Sequence, residues 1–233
     1  RDLRGKVDRF ITFNRLTQRI FIEAGFPAEA VAIKPNFVDD PGPAPPHLRS
    51  GGLYVGRLSA EKGVPQLVAQ WRGLPAELTI VGTGPLAAEL AALGVPRVTF
   101  RGFLDQEAVR DAMWKASFLV APSVVIEPFG LALAEAMACG LPVIANRTEA
   151  MEEMVEDGVN GLLCDAAKPG DLRTRIEWAL AHPEAMAEMG RAARRTFEER
   201  YSAAVDYDRL IGIYQAAQAA RAGRSGRVED AAP

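Results

Sequence analysis

The chain has 233 residues, 48% of them apolar and 24% charged, with a formal net charge of −3. That suits one good-sized α/β domain plus extras built on its own core, and it excludes the basic footprint of a nucleic-acid binder. Its two cysteines, Cys139 and Cys164, sit in apolar stretches and read as buried free thiols in a reducing compartment, not as a zinc site or disulfide framework.

No run of about 18 apolar residues offers a membrane span, and no signal peptide is recognised. The expected location is the cytoplasm, or the inner face of a membrane as a peripheral protein. The chain starts at Arg1 without methionine and enters an element almost at once, which suggests a piece or a processed product of a longer protein.

Residues 8–37 read strand, helix, strand: FITF, a helix from about Arg15 to Ala24 stopped by Gly25, and VAIK. Residues 38–50, rich in Pro, Gly and Asp, are a linker by composition. From Gly51 a regular alternation begins. Strands LYVG (53–56), LTIVG (78–82), VTFRG (98–102), FLVAPS (118–123), PVIA (142–145) and GLLC (161–164) alternate with helical segments. Mostly continuous apolar strands in that alternation predict a doubly wound, Rossmann-like parallel sheet with helices on both faces. Leu172, Ile176 and Leu180 mark a buried helical stripe. His182-Pro183 breaks the run, helices follow over about 184–199 and 202–220, and the tail 221–233 is expected to be disordered. His47 and His182 read as surface histidines. No internal repeat is present.

In open parallel sheets ligands sit outside the carboxyl ends of the strands, which selects the loops after each strand. The stretch Val124–Arg147, VVIEPFGLALAEAMACGLPVIANR, is the focus. Pro128 presets a helix start and Gly130 permits close approach of a ligand to the backbone. Free amides near Gly130 and Leu131 favour an anion by roughly 0.3–2 kcal/mol. Gly140 and Pro142 end the helix. Glu127 and Glu135 flank the turn, and carboxylates there suit a hydroxyl-rich ligand. As a hydrolase pair they would be about 12 Å apart along a helix at roughly 1.5 Å per residue, against roughly 5–9.5 Å for glycosidase carboxylates, which disfavours that chemistry. After the first long strand, Gly56-Arg57-Leu58-Ser59-Ala60-Glu61-Lys62-Gly63 carries an arginine fork and a lysine point charge suited to a diphosphate. Gly82 and Gly84 serve turn geometry and tight packing. Asp206-Tyr207-Asp208 is formally D-x-D, but on a helix its carboxylates face different ways, so it reads as a solvated face.

The motif E-x(7)-E with an internal Phe-Gly resembles the nucleotide-sugar site of retaining glycosyltransferases of the GT-B fold, family 4. The stretch VGRL followed by Lys62-Gly63 resembles that family's phosphate motif, and Glu153 with Glu156-Asp157-Gly158 fits its downstream pattern. The resemblance implies that Arg57 and Lys62 hold the donor's phosphates, that Glu127 contacts the donor sugar and Glu135 the ribose, and that Leu104 meets the base through its backbone. Gly56, Phe129, Gly130 and Leu131 would complete the nucleotide contacts. Glu149-Ala150 stands where the family often has Gly-Gly, which would put a charge near the donor pocket.

The resemblance further implies that residues 1–37 complete an acceptor domain otherwise missing. Residues 51–200 would form the donor-binding domain, and residues 201–220 a helix that crosses back. With Arg57, Lys62 and a helix N-terminus to take the leaving-group charge, neither a metal nor a cofactor is expected. The resemblance implies a UDP- or GDP-linked sugar as donor and a sugar, lipid or small molecule as acceptor. A GT-B-fold epimerase and a non-catalytic sugar-nucleotide binding module are the alternatives. Phe10, Phe13, Ile20 and Phe21 would need a partner. The first unit should therefore pack on the last helix near Leu210 and Tyr214, or pair with a second copy in a homodimer. The motifs beyond Gly51 should not depend on it.

Overall fold

A computed structural model describes residues 6–45, 48–125 and 127–229; His47 lies outside them. The first unit is a parallel pair of strands, β1 (Phe10–Thr12) and β2 (Val31–Ile33), joined by helix α1 (Arg15–Glu23). Asn14 caps α1 through its side chain, which accepts from the Thr17 amide at 2.7 Å, and Thr17 Oγ1 accepts in return from the Asn14 amide, a reciprocal capping box. Phe10, Phe21 and Phe26 form an aromatic cluster with centroids 4.7–6.2 Å apart. Two of the four residues expected to need an outside partner, Phe10 and Phe21, thus find one inside the unit. Phe13 and Ile20 stay exposed.

The main domain is a parallel six-stranded sheet in the order β5-β4-β3-β6-β7-β8. Its strands are β3 (Gly52–Val55), β4 (Leu78–Val81), β5 (Val98–Gly102), β6 (Phe118–Ala121), β7 (Val143–Asn146) and β8 (Gly161–Cys164). The helices, in chain order, are α2 (Val64–Trp71), α3 (Ala87–Ala92), α4 (Gln106–Lys115), α5 (Leu131–Ala138), α6 (Glu149–Glu152), α7 (Asp171–Ala181), α8 (Pro183–Arg200) and α9 (Ala203–Glu229). The predicted doubly wound Rossmann-like sheet is what forms.

Side chains alternate across the pleat, which divides the core in two. Leu53, Leu119, Val143 and Ala145 pack with Met113 of α4, with α5, and with Ala193 and Phe197 of α8. Tyr54, Phe118, Val120 and Ile144 face the other way, onto Leu67 and Trp71 of α2 and Ile176 of α7. The buried apolar positions of α7 are Leu172, Ile176 and Ala179, with Leu180 only half-buried, so the expected stripe turns one residue early at its end.

Helix α5 buries Leu133, Ala134, Ala136, Met137 and Ala138, as an almost wholly apolar helix must. It ends in a Schellman motif: Leu141 N donates to Ala136 O at 2.8 Å and Gly140 N to Met137 O at 2.9 Å, with Gly140 at φ 62°.

At the C-terminal end helix α9 spans Ala203–Glu229, past Arg221 where the tail was expected to begin, and the Ala and Arg of QAAQAARA are good helix formers; residues 230–233 lie outside the described ones. Asp206 is not on a solvated face. It is buried and paired with Lys34, while Tyr207 and Asp208 on the same helix are exposed, so the D-x-D does face two ways. The Lys34 pair, with a bond from Arg9 to the Ala216 carbonyl at 3.1 Å, seats the first unit on α9 to either side of Leu210 and Tyr214.

Candidate functional site

Strand order places the site. Neighbouring β3 and β6 send their chains to opposite sides, so a crevice opens between the loops leaving their carboxyl ends. These are loop 56–63 and loop 122–130, which carry the two main motifs. Their bases are pressed together. Val124 N donates to Glu61 O at 3.1 Å. Gly63 has φ 71°, and a Cβ there would stand 2.0 Å from the Pro122 carbonyl oxygen, so only glycine fits. A Cβ on Gly82 would meet Gly56 O at 1.9 Å, and one on Gly84 would meet Leu58 O at 2.3 Å. Both glycines serve close packing of the turn, as expected.

Lys62 and Glu127 face each other across the crevice, Nζ to Oε1 2.9 Å. Arg57 is exposed, with its backbone fixed by the Tyr54 hydroxyl donating to its carbonyl at 2.9 Å. Its guanidinium has no hydrogen-bond or ion-pair partner among the described residues. Ser59 Oγ donates to Glu61 at 2.6 Å and holds that carboxyl below its usual range, so Glu61 stays charged beside Arg57 and Lys62.

Gly130 is the N-cap of α5, with Leu131 exposed in the first turn. Leu133 N and Ala134 N both donate to Gly130 O, at 3.0 and 3.1 Å, which leaves the Leu131 and Ala132 amides without an acceptor in the helix. The Phe129 ring packs edge-on against Tyr201, the residue that ends α8, at 5.7 Å.

Two hollows run together along the carboxyl ends of the strands. One, about 730 Å³, is lined by Gly56, Arg57, Gly82–Gly84, Phe103 and Leu104. The other, about 290 Å³, shares Val55, Phe103, Leu104 and Val109 with the first and reaches Glu135. Leu104 is half-buried against the core, which leaves its backbone as the polar feature there. Glu135 is the one charge in α5. It is half-buried without a hydrogen-bond or ion-pair partner among the described residues, and burial raises its pKa. Cavity and cleft thus bring together Arg57, Gly56, Leu104 and Glu135, with Lys62, Glu127 and the start of α5 at the crevice.

Side chains that the sequence reading missed also line the Glu135 hollow: Gln106 and Arg110 of α4, with Asp39 and Asp40 of the linker. Arg110 Nε is buried without a hydrogen-bond partner among the described residues, its guanidinium lying over the Trp114 ring at 5.3 Å. Only the i, i+4 spacing of Gln106 and Arg110 could have placed them on one face.

Glu149, expected to put a charge near the donor pocket, pairs with Arg19 of α1 at 2.5 Å, and Ala150 is buried, because α1 docks on α6. Both cysteines are free and buried, with burial pushing the Cys139 thiol up to about 11 and that of Cys164 up to about 12.

Among the described residues no cluster of His, Cys, Asp and Glu is arranged to hold a metal, and no helix is long and apolar enough to cross a membrane. A hollow of about 790 Å³ lies at the far end of the sheet, beside Phe118, Gly140 and Pro142. It is at the amino ends of the strands, away from the crevice.

An open parallel sheet with glycine-built loops and an anion-favouring helix start at its switch point is the Rossmann-like architecture of nucleotide-binding domains. The chain belongs to the glycosyl transferases group 1 family, whose profile matches residues 52–196. It is 30% identical over 173 residues to an alpha-D-kanosaminyltransferase of Streptomyces kanamyceticus, covering 70% of this chain and 45% of that protein. It is 33% identical over 154 residues to a GDP-mannose-dependent alpha-(1-6)-phosphatidylinositol dimannoside mannosyltransferase of Mycobacterium tuberculosis, covering 63% and 39%.

Among solved structures, HepE of Anabaena in complex with UDP and glucose superposes with a TM-score of 0.79 at 24% identity, over 89% of this chain and 63% of that one. Sucrose-phosphate synthase of Thermosynechococcus elongatus gives 0.79 at 26%, over 90% and 58%. The fold is that of the C-terminal half of GT-B glycosyltransferases. The match spans less than half the length of both curated relatives.

Proposed function

We propose that this chain is the donor-binding half of a nucleotide-sugar-dependent glycosyltransferase that retains anomeric configuration. The observation that carries the reading is the grouping of two cations, a helix N-terminus and two carboxylates around the switch-point crevice. Arg57, Lys62 and the first amides of α5 hold the diphosphate and stabilise the charge that develops on it as the bond to the sugar breaks. Lys62 Nζ has three donors, so it can keep Glu127 while turning toward a phosphate oxygen. Glu127 orients the transferred sugar, Glu135 accepts from the ribose hydroxyls, and the Leu104 backbone meets the base. The names of the similar proteins suggest two donors to try, UDP-glucose and GDP-mannose.

Transfer needs an acceptor side of the cleft. The chain alone is therefore expected to bind a sugar nucleotide without transferring the sugar at a useful rate. The test is calorimetric titration with UDP, GDP and ADP and with the two sugar nucleotides, repeated in excess chelator. Binding that survives the chelator supports the cation-only site, whereas failure to bind any diphosphate refutes the reading. Product analysis with a longer protein containing this sequence then separates a glycoside from an epimer.

A further inference from the structure

Loop 122–130 is gripped at both ends by asparagine carboxamides. Asn146, buried at the end of β7, donates to Pro122 O at 2.7 Å and Ser123 O at 3.2 Å. At the other end Asn14 Nδ2 donates to Pro128 O at 2.8 Å, across 114 residues of sequence. Asn14 is only 5% exposed, and its other side-chain atom, Oδ1, is taken by the Thr17 amide and hydroxyl, each at 2.7 Å. Its orientation is therefore fixed by its partners: the cap requires Oδ1 toward α1 and presents Nδ2 to Pro128. Two more contacts bind the same seam. The Arg15 amide donates to both oxygens of Glu153, at 2.9 and 3.1 Å, and Arg19 pairs with Glu149.

The β1-α1-β2 unit is thus not independent of the motifs beyond Gly51, contrary to the sequence reading. Pro128 lies between Glu127, whose carboxylate holds Lys62, and Gly130, the N-cap of α5. A carbonyl fixed there sets the pose of both. Resting on the proposed donor site, we infer that Asn14 is a positioning residue for the sugar-contacting turn Glu127–Gly130, acting through the Pro128 carbonyl. The diphosphate also has Arg57 on the opposite loop, whereas Glu127, the group assigned to the sugar, sits on the gripped turn. Loss of the grip therefore falls mainly on the sugar increment of binding, meaning the ratio of affinities for the sugar nucleotide and its diphosphate.

Asn14→Asp is the decisive variant. It keeps an acceptor for the Thr17 amide, so α1 stays capped, but it has no hydrogen to donate to Pro128. Thr17→Ala is the control, which weakens the capping box and leaves the Pro128 bond. UDP against UDP-glucose and GDP against GDP-mannose are titrated into all three proteins, and amide exchange is read without ligand. One neutral hydrogen bond lost should lower the sugar increment about threefold to tenfold in Asn14→Asp. Exchange at Gly130–Ala134 should speed up in that variant alone. An unchanged increment in Asn14→Asp, or an equal fall in Thr17→Ala, overturns the inference while leaving the donor site standing. Failure of the unaltered chain to bind any of the four ligands overturns the donor site and the inference with it.

Discussion

Replacing Glu135 by Gln should make the ligand-free protein more stable and its nucleotide binding weaker. The carboxylate is half-buried on α5, unpaired among the described residues, and raised in pKa by loss of water. The folded state therefore binds this proton more tightly than the unfolded chain. Stability is full below the unfolded pKa and falls as pH rises through the folded one. The glutamine side chain has nearly the same shape and no charge to desolvate. Removing such a functional strain typically yields about 0.5–2 kcal/mol, and in a domain of this size each kcal/mol is worth about 2–4 °C in melting temperature.

The assay is thermal melting of both proteins from pH 4 to 8. The curves should coincide at the acid end and separate toward neutrality, with Glu135→Gln the higher. Binding should move the other way. A carboxylate accepting from ribose hydroxyls contributes about 1.5–3 kcal/mol, so UDP or GDP should bind about tenfold or more weakly. The 2′,3′-dideoxy analogue, which lacks those hydroxyls, should lose little, and this double comparison isolates the contact. Equal losses for ribose and dideoxyribose ligands would refute the ribose role. Melting curves that stay parallel across the whole pH range would refute the burial argument.

Arg57→Ala should weaken diphosphate binding about tenfold or more with an unchanged melting temperature, since the guanidinium is exposed and has no hydrogen-bond or ion-pair partner among the described residues; an unaltered dissociation constant in calorimetry counts against the phosphate assignment. Glu127→Gln should leave diphosphate affinity equal or slightly improved, because Lys62 is released from a carboxylate at 2.9 Å, while the extra affinity for the sugar nucleotide disappears. A fall in diphosphate affinity would instead place Glu127 on the phosphates. Gly63→Ala should destabilise the fold by about 1–3 kcal/mol from the left-handed backbone alone, and by more from the clash with Pro122 O at 2.0 Å. A denaturation midpoint equal to that of the parent would show that the two loops can separate at no cost.

Much of this molecule is legible in the sequence because it is local. Apolar strands alternating with helical segments specify the doubly wound sheet, and Gly140-Leu141-Pro142 marks the end of α5 because turn chemistry depends on neighbours in the chain. The loops carrying Arg57, Lys62 and Glu127, and the helix carrying Glu135, follow from chain order alone, since ligands of a parallel sheet lie at its carboxyl ends. Only the tertiary structure decides which of these groups meet. Lys62 faces Glu127 because β3 and β6 are neighbours in the sheet, although β4, β5 and their helices separate them in sequence. Glu149 turns to Arg19, Asp206 is buried against Lys34, and Phe129 packs on Tyr201, because each lies on a seam between units distant in the chain. Asn14 reads locally as a helix cap and no more. Its hold on Pro128 exists only once α1 has docked on α6, since a hydrogen bond is a matter of position in space and sequence spacing carries no information about a partner 114 residues away.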